Sequence, residues 1–168
     1  MGILRRRDDT TLRFQMRQKL IAIGDDYWIE DEGGARVFKV NGKAARLRDT
    51  WVLEDPGGAE VARIKERALT LRDKIKIELP GGEVTVKKAL AGIRDRFHID
   101  VDHGEDLKAH GNVVDHEYEI KRDGHKIAEV SKKWFRLRDS YGVEITGDVD
   151  PVLILAVTVA IDALADHD

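Results

Sequence analysis

The sequence predicts a mainly β protein, a closed antiparallel barrel of about twelve strands around one central hydrophobic C-terminal helix. Two observations predict this fold. Most of the 168-residue chain alternates apolar and polar residues in short runs between Gly, Pro and Asp turns, which is typical of half-buried antiparallel strands. The last segment is instead apolar on nearly every side at helical spacing, and such a helix has to be enclosed by other elements.

The strands follow one another along the whole chain. In the first half the predicted strands are TTLRFQM near the start, YWIED (27–31), ARVFKV (35–40), TWVLED (50–55), AEVARIKER (59–67), LTLRDKIKIEL (69–79) and EVTVKKAL (83–90). In the second half they are RFHIDVD (96–102), DLKAHGNVV (106–114), HEYEIKRD (116–123), HKIAEVSKKWFRL (125–137) and SYGVEITGD (140–148). Glycine pairs and Asp123-Gly124 between them indicate hairpin turns.

An internal repeat links the two halves. The residues Val61-Ala62, Ile64, Leu71-Arg72-Asp73 and Ile75 recur as Ile127-Ala128, Val130, Leu137-Arg138-Asp139 and Tyr141, always 66 positions later. A third Leu-Arg-Asp stands at 47–49. A repeat of this kind favours two related sheet halves that pack face to face.

The only strong helix signal begins at Asp150 and Pro151, since Asp caps free N–H groups and Pro is tolerated at the first helical position. A helix from Pro151 to Ala165 would be about 22 Å long, too short for a hydrocarbon core of about 30 Å. We therefore expect no transmembrane segment. The polar residues Thr158, Asp162 and Asp166 form one stripe, which we expect to face a gap or an open end where the carboxylates reach water.

Composition limits the possible function classes. Charged residues make up 36% of the chain, but the net charge is only -3, so no nucleic-acid partner is expected. The absence of cysteine excludes disulfides, thiolate metal sites and a cysteine nucleophile. No apolar run follows the basic start, so no secretion signal is expected. We expect a single cytoplasmic domain over residues 1–168, monomeric, with residues 1–9 flexible.

Several segments together resemble one known family. They are MRQKLIAIGDDYWIEDEGG, VFKVNGKA, DHEYEI, AEVSKKWF, DSYGVEI and DPVLILAVTVAID, in the expected order from about Phe14 to Asp162. The chain resembles the LURP-one-related proteins of the Tubby C-terminal-like superfamily, to which the phospholipid scramblases also belong. The resemblance implies a barrel of about twelve strands around a hydrophobic C-terminal helix. It brings no catalytic motif.

Few residues suggest catalysis or a cofactor. Ser131 and Ser140 are the only serines, and neither stands in a Gly-x-Ser-x-Gly elbow. His98, Asp100 and Asp102 would share one face of a strand, but solvation of an outer face explains that pattern without a metal. The glycine pairs are hairpin turns and not phosphate loops. We expect no enzyme activity, no metal and no cofactor.

Basic clusters are the best candidates for a binding site. They are Arg5-Arg6-Arg7 near the start and the anionic-ligand candidates Lys87, Lys88, Lys132, Lys133 and Arg136. Lysines beside Trp134 and Phe135 resemble an edge that binds lipid headgroups. We expect a non-enzymatic binding or scaffold domain, possible partners being an anionic phospholipid or a protein, which would place it at the periphery of a membrane. The alternative is a small-molecule carrier or enzyme that uses the barrel mouth near Thr158 and Asp162.

Overall fold

The computed structural model describes residues 11–17, 26–42, 50–66, 74–89, 95–135 and 140–165. These residues form twelve strands and one helix. The strands are β1 (Thr11–Arg17), β2 (Asp26–Asp31), β3 (Arg36–Asn41), β4 (Thr50–Glu54), β5 (Glu60–Glu66), β6 (Lys74–Leu79), β7 (Gly82–Lys88), β8 (Asp95–Val101), β9 (Leu107–Asn112), β10 (Glu117–Arg122), β11 (His125–Ser131) and β12 (Ser140–Thr146), and the helix is α1 (Pro151–Ala165).

The sheet is one closed antiparallel barrel in which every strand pairs with its neighbours in sequence and β1 also pairs with β12. The closing ladder is long, running from Thr11 opposite Thr146 to Arg17 opposite Ser140. Closure removes the free strand edges that would otherwise pair with other chains. The predicted fold class is confirmed.

The two ends of the barrel differ. All odd-numbered strands run in one direction and all even-numbered strands in the other. The connections that follow odd-numbered strands therefore lie at one end, and those that follow even-numbered strands lie at the other. We call the end where odd-numbered strands finish the upper end and the opposite end the lower end. Helix α1 follows β12, which finishes at the lower end. The helix therefore runs upward through the barrel and finishes at the upper end.

The lower end is closed by tight hairpins that the sequence predicts. Asp31 and Asp55 each start the same turn: the Asp31 carboxylate accepts the N–H of Ala35 and the Asp55 carboxylate that of Ala59, both at 2.9 Å. The backbone N–H of each Asp also donates a hydrogen bond to the carbonyl of the same alanine, which is a second bond across the turn. The β10–β11 hairpin has positive φ at both Asp123 and Gly124, as a two-residue Asp-Gly turn requires.

The core lies between the inner faces of the strands and α1. The inward positions of each strand are almost completely buried, for example Ile75 and Ile77 on β6, and so is the whole helix from Ile154 to Leu164. The helix begins as predicted, because the Asp150 carboxylate accepts the N–H of Val152 at 3.0 Å. Each fully buried aliphatic side chain contributes about 1.5–3 kcal/mol, so the helix supplies a large share of the driving force for closure.

The internal repeat relates strands that are six positions apart in the barrel. Strands β5 and β6 correspond to β11 and β12, and Lys74 at the start of β6 is 66 residues before Ser140 at the start of β12. In a ring of twelve strands these pairs lie on opposite walls. The two halves are therefore not separate sheets that pack face to face but arcs of one continuous sheet. The Leu-Arg-Asp triplets themselves lie outside the described residues.

Several predicted strands are too long: for example, the strand at 106–114 runs past the end of β9 at Asn112, and the strand that starts at 125 overruns further. The pattern from 125 predicts a strand to 137, but β11 ends at Ser131 and the chain turns at Lys132. The reason is local: the Glu117 side chain accepts the N–H of Lys132 at 3.0 Å, and the Ser131 hydroxyl accepts that of Lys133 at 3.2 Å. Side-chain acceptors thus replace the strand ladder.

Candidate functional site

Four of the five candidate cations lie in the described part of the chain; Arg136 lies outside it. Lys87 and Lys88 end β7, and Lys132 and Lys133 follow β11. Both strands finish at the upper end, but β8, β9 and β10 stand between them. The structure therefore places the two lysine pairs toward the same end of the barrel without joining them into one patch.

Two of these lysines already have acidic partners. The Lys87 ammonium lies 2.5 Å from an Asp100 carboxylate oxygen, and Lys133 lies 2.8 Å from Glu129. The hydrogen bond from Lys133 lowers the pKa of the Glu129 carboxyl, although partial burial opposes the shift. Within the described residues the Lys132 side chain makes no ion pair. Lys132 is therefore the candidate cation most available to a ligand.

Residues 132–135, which we call the basic loop, fold back on the outer wall of the barrel. Trp134 and Phe135 cover Gly142 on β12 so closely that a Cβ there would lie 2.8 Å from the Trp134 ring and 2.9 Å from the Phe135 ring. Two cations also lie over the Trp134 ring, the Lys133 ammonium 4.9 Å and the Arg13 guanidinium 5.3 Å from its centroid. Such cation–π contacts and the tight packing fix the loop in one place.

A second loop lies beside it at the upper end. Residues 113–116 connect β9 to β10 and carry Val114, whose side chain is 71% exposed. Glu117 directly after this turn binds the Lys132 N–H and the Ser131 hydroxyl, both at 3.0 Å. Glu117 therefore links the two loops, one of which carries an exposed apolar side chain and the other a lysine and a half-buried tryptophan.

The barrel interior below these loops contains a polar cluster around Asp162 of α1. The Tyr141 hydroxyl donates a hydrogen bond to the Asp162 carboxylate. His116 Nδ1 lies 3.4 Å from the other carboxylate oxygen, and its ring stacks on Tyr141 with centroids 4.2 Å apart. The Thr158 hydroxyl donates to the Ile154 carbonyl at 2.8 Å.

Three tyrosines face this carboxylate from different strands: Tyr27 of β2, Tyr118 of β10 and Tyr141 of β12. Burial raises the pKa of all three hydroxyls, well above their usual range for Tyr118 and Tyr141, and the negative charge of Asp162 adds to each shift. The hydroxyls thus stay neutral, and Tyr141 is kept as a hydrogen-bond donor to the carboxylate.

The prediction that the polar stripe of the helix reaches water is wrong for the stripe residues that the structure describes. Thr158 is 0% and Asp162 is 4% exposed; Asp166 lies outside the described residues. The physical reason is that a buried carboxylate is tolerated when it is hydrogen-bonded: here the Tyr141 hydroxyl donates to Asp162, and His116 Nδ1 lies 3.4 Å from the second oxygen. The barrel mouth near Thr158 and Asp162 does not present these groups to an external ligand.

Sequence reasoning missed His116. It takes a left-handed conformation with φ 53° in the turn before β10 and is buried, whereas alternation of the sequence predicts only a strand start there. A signal did exist: a carboxylate inside an apolar helix requires a buried partner. Which histidine or tyrosine supplies it depends on strand register, which the sequence leaves open.

The two serines have structural partners. The Ser131 hydroxyl donates a hydrogen bond to the Glu117 carboxylate at 3.0 Å, and the Ser140 hydroxyl accepts one from the side-chain amide of Gln15 at 3.2 Å. His98 on β8 is exposed, and the described residues contain no group of three His, Cys, Asp or Glu placed to hold a metal ion. Nor does any helix among them have the length and apolar character needed to cross a membrane.

Comparison with known proteins identifies the fold. The family model described as LURP-one-related matches residues 12–162. An X-ray structure of a protein from Arabidopsis thaliana matches with a TM-score of 0.70 and 19% sequence identity, covering 92% of this chain and 91% of that chain. No curated protein sequence matches. At this identity the structural match shows the fold alone, whereas the family model spans nearly every strand and most of α1.

Proposed function

Because the chain belongs to the LURP-one-related family, we propose that it is a non-enzymatic binding domain whose upper end docks on an anionic phospholipid surface. The observation that carries this function is the pairing of two loops at that end. The basic loop offers Lys132 beside Trp134, and residues 113–116 offer the exposed Val114. A cation, an interfacial tryptophan and an apolar tip are the elements of a peripheral membrane contact.

The rigidity of the loops supports this function. Glu117 holds the backbone of Lys132, and Gly142 lets Trp134 pack onto the wall. A contact surface that is fixed before binding loses little conformational entropy when it binds. The burial of Thr158 and Asp162 also favours a site on the outside of the barrel over a carrier or enzyme site in its mouth. Localisation would then be cytoplasmic and peripheral to a membrane.

Vesicle flotation tests the function. We expect the protein to float with phosphatidylcholine vesicles that contain phosphatidylserine or a phosphatidylinositol phosphate, and not with phosphatidylcholine alone. Two variants should lose flotation: Lys132→Glu with Lys133→Glu, because the vesicle surface repels the new charges, and Val114→Asp, because the apolar tip is lost. Each added or removed charge near such a surface changes binding by about 1 kcal/mol.

A matched control is Lys65→Glu with Lys76→Glu. These residues are cross-strand neighbours on β5 and β6, so the control makes the same change in net charge on a distant part of the wall. It should float like the parent. Equal flotation of the Lys132 and Lys133 variant, with an unchanged melting curve, would reject the lipid function. Protein that floats with no vesicle at all would reject it too.

A further inference from the structure

A row of basic side chains crosses the outer wall of the barrel on six neighbouring strands. Every member faces outward and stands opposite the next in the strand register. The row runs through Lys74 on β6, Lys87 on β7, His98 on β8, Lys108 on β9, Lys121 on β10 and Lys126 on β11. Directly opposed residues have Cβ atoms about 4.5–5.5 Å apart, and like charges at that spacing repel each other. Opposed lysines in such a row therefore destabilise the sheet unless negative charge compensates them.

Carboxylates of the same wall compensate the parts of the row on either side of its centre. Three ion pairs do so: Lys87 with Asp100 at 2.5 Å, Lys121 with Glu119 at 3.8 Å and Lys126 with Glu129 at 3.1 Å. The centre differs, because His98 and Lys108 make no ion pair within the part of the chain that the structure describes. Lys108 on β9 therefore carries a charge without an ionic partner, directly opposite the His98 imidazole on β8.

A groove lies on the wall at this same place. Its volume is about 540 Å³, and Arg96, His98, Lys108, His110 and Lys121 line it. Arg96 stands directly opposite His110, next to the basic row, and neither has an ionic partner among the described residues. Ligand pockets usually measure about 300 to 1,000 Å³, so the groove is large enough for a small molecule.

Two aspartates also line the groove, and neither forms an ion pair with Arg96 or Lys108. The Asp106 carboxylate accepts the backbone N–H of Val101 at 3.0 Å, so one of its oxygens is already used in the turn. Asp123 lies in the β10–β11 hairpin turn at the lower end. Lys121 is paired with Glu119, so Arg96 and Lys108 are the cations of the groove without an ionic partner among the described residues, and the two imidazoles supply further donors. The groove thus combines two cations that lack an ionic partner in the described part of the chain with several hydrogen-bond donors.

We propose that this groove binds a phosphate ester through Arg96, His98, Lys108 and His110. A phosphate group carries two negative charges at neutral pH and three acceptor oxygens. Arginine binds such oxygens in a bidentate manner, while lysine acts as a point charge. Bound phosphate would give Arg96 and Lys108 the anionic partner that they lack among the described residues. The site is separate from the basic loop and does not depend on the function proposed for it.

The imidazole resonances of His98 and His110 provide a direct measurement. The intact protein is titrated with glycerol phosphate, with inorganic pyrophosphate, and with phosphatidylcholine vesicles with and without a phosphatidylinositol phosphate. We expect saturable shifts of both resonances in at least one arm. Shifts with the soluble compounds identify a free phosphate ester as the ligand, and shifts only with the phosphoinositide vesicles identify a lipid headgroup. Both results support the site.

Substitutions then locate the site. Loss of one charged hydrogen bond weakens binding about tenfold, so Lys108→Gln should raise the Kd by that factor. Arg96→Lys should also raise it, because the bidentate contact is lost. Lys65→Gln on β5, which removes one charge from another part of the wall, should leave the Kd unchanged. Saturable shifts in none of the arms would overturn the proposal, as would an unchanged Kd for Lys108→Gln. Loss of vesicle flotation in the basic-loop variants, with these shifts intact, would separate the two sites.

Discussion

Removal of the buried carboxylate should be the most damaging single change to a polar residue. Asp162→Ala leaves the Tyr141 hydroxyl without its acceptor and His116 without the carboxylate 3.4 Å away. Loss of a hydrogen bond to a charged group costs about 1.5–3 kcal/mol. Against a typical stability of about 5–15 kcal/mol, the loss is about a tenth or more of the total.

Urea unfolding, followed by circular dichroism, measures this loss. With a slope of about 2 kcal/mol per molar, the midpoint should fall by about 1 M. Asp162→Asn should lose less than Asp162→Ala, because the amide oxygen still accepts the Tyr141 hydroxyl. Glu105→Ala is the control. It removes an exposed carboxylate whose ion pair with Arg122, at 3.7 Å, lies on the surface, and surface changes of this kind alter the free energy of unfolding by no more than about 0.5 kcal/mol. A loss under about 1 kcal/mol for Asp162→Ala would refute the role of this cluster.

Three further changes have defined outcomes. Gly142→Ala places a methyl group 2.8 Å from the Trp134 ring and should cost about 1–3 kcal/mol through overpacking, with a change in tryptophan emission; an unchanged spectrum and stability would contradict the packing of the basic loop. Asp150→Ala removes the cap of α1 and should lower the free energy of unfolding by about 1 kcal/mol in the same urea assay; no loss would contradict the cap. The third change is a rise in pH, because the three buried tyrosines stabilise the folded state only while their hydroxyls are neutral. Their folded pKa values lie above the usual one, so stability should be intact below about pH 10 and fall above it, by about 1.4 kcal/mol per pH unit for each tyrosine. Tyr118→Phe should make this fall less steep, and an equal slope would contradict the burial effect.

Much of the fold could be predicted from the sequence because strand alternation, turn residues and a capped apolar helix are local signals. The hairpin at Asp123-Gly124 and the helix start at Asp150 are examples, and both have the expected geometry. The end of β11 could not be predicted, because the pattern stays strand-like through Trp134. It ends at Ser131 because Glu117, from another strand, binds the backbone of Lys132.

The sites were harder to predict because they depend on register between strands. The alternation shows that His98 and Lys108 face outward, but only the pairing of β8 with β9 shows that they are opposite each other. The same holds for His116, which reaches Asp162 only through the fold. The lysine pairs at 87–88 and 132–133 are prominent in the sequence, yet three strands separate them in the barrel.

Amide hydrogen exchange of α1 tests the central claim most directly, namely that this helix is the internal support on which the barrel closes. Residues from Ile154 to Ile161 are almost fully enclosed, so their amides should exchange only when the whole protein unfolds. The account predicts that their opening free energy equals the global free energy of unfolding measured in urea. Exchange of these amides with a much lower opening free energy, while the strands remain protected, would contradict it.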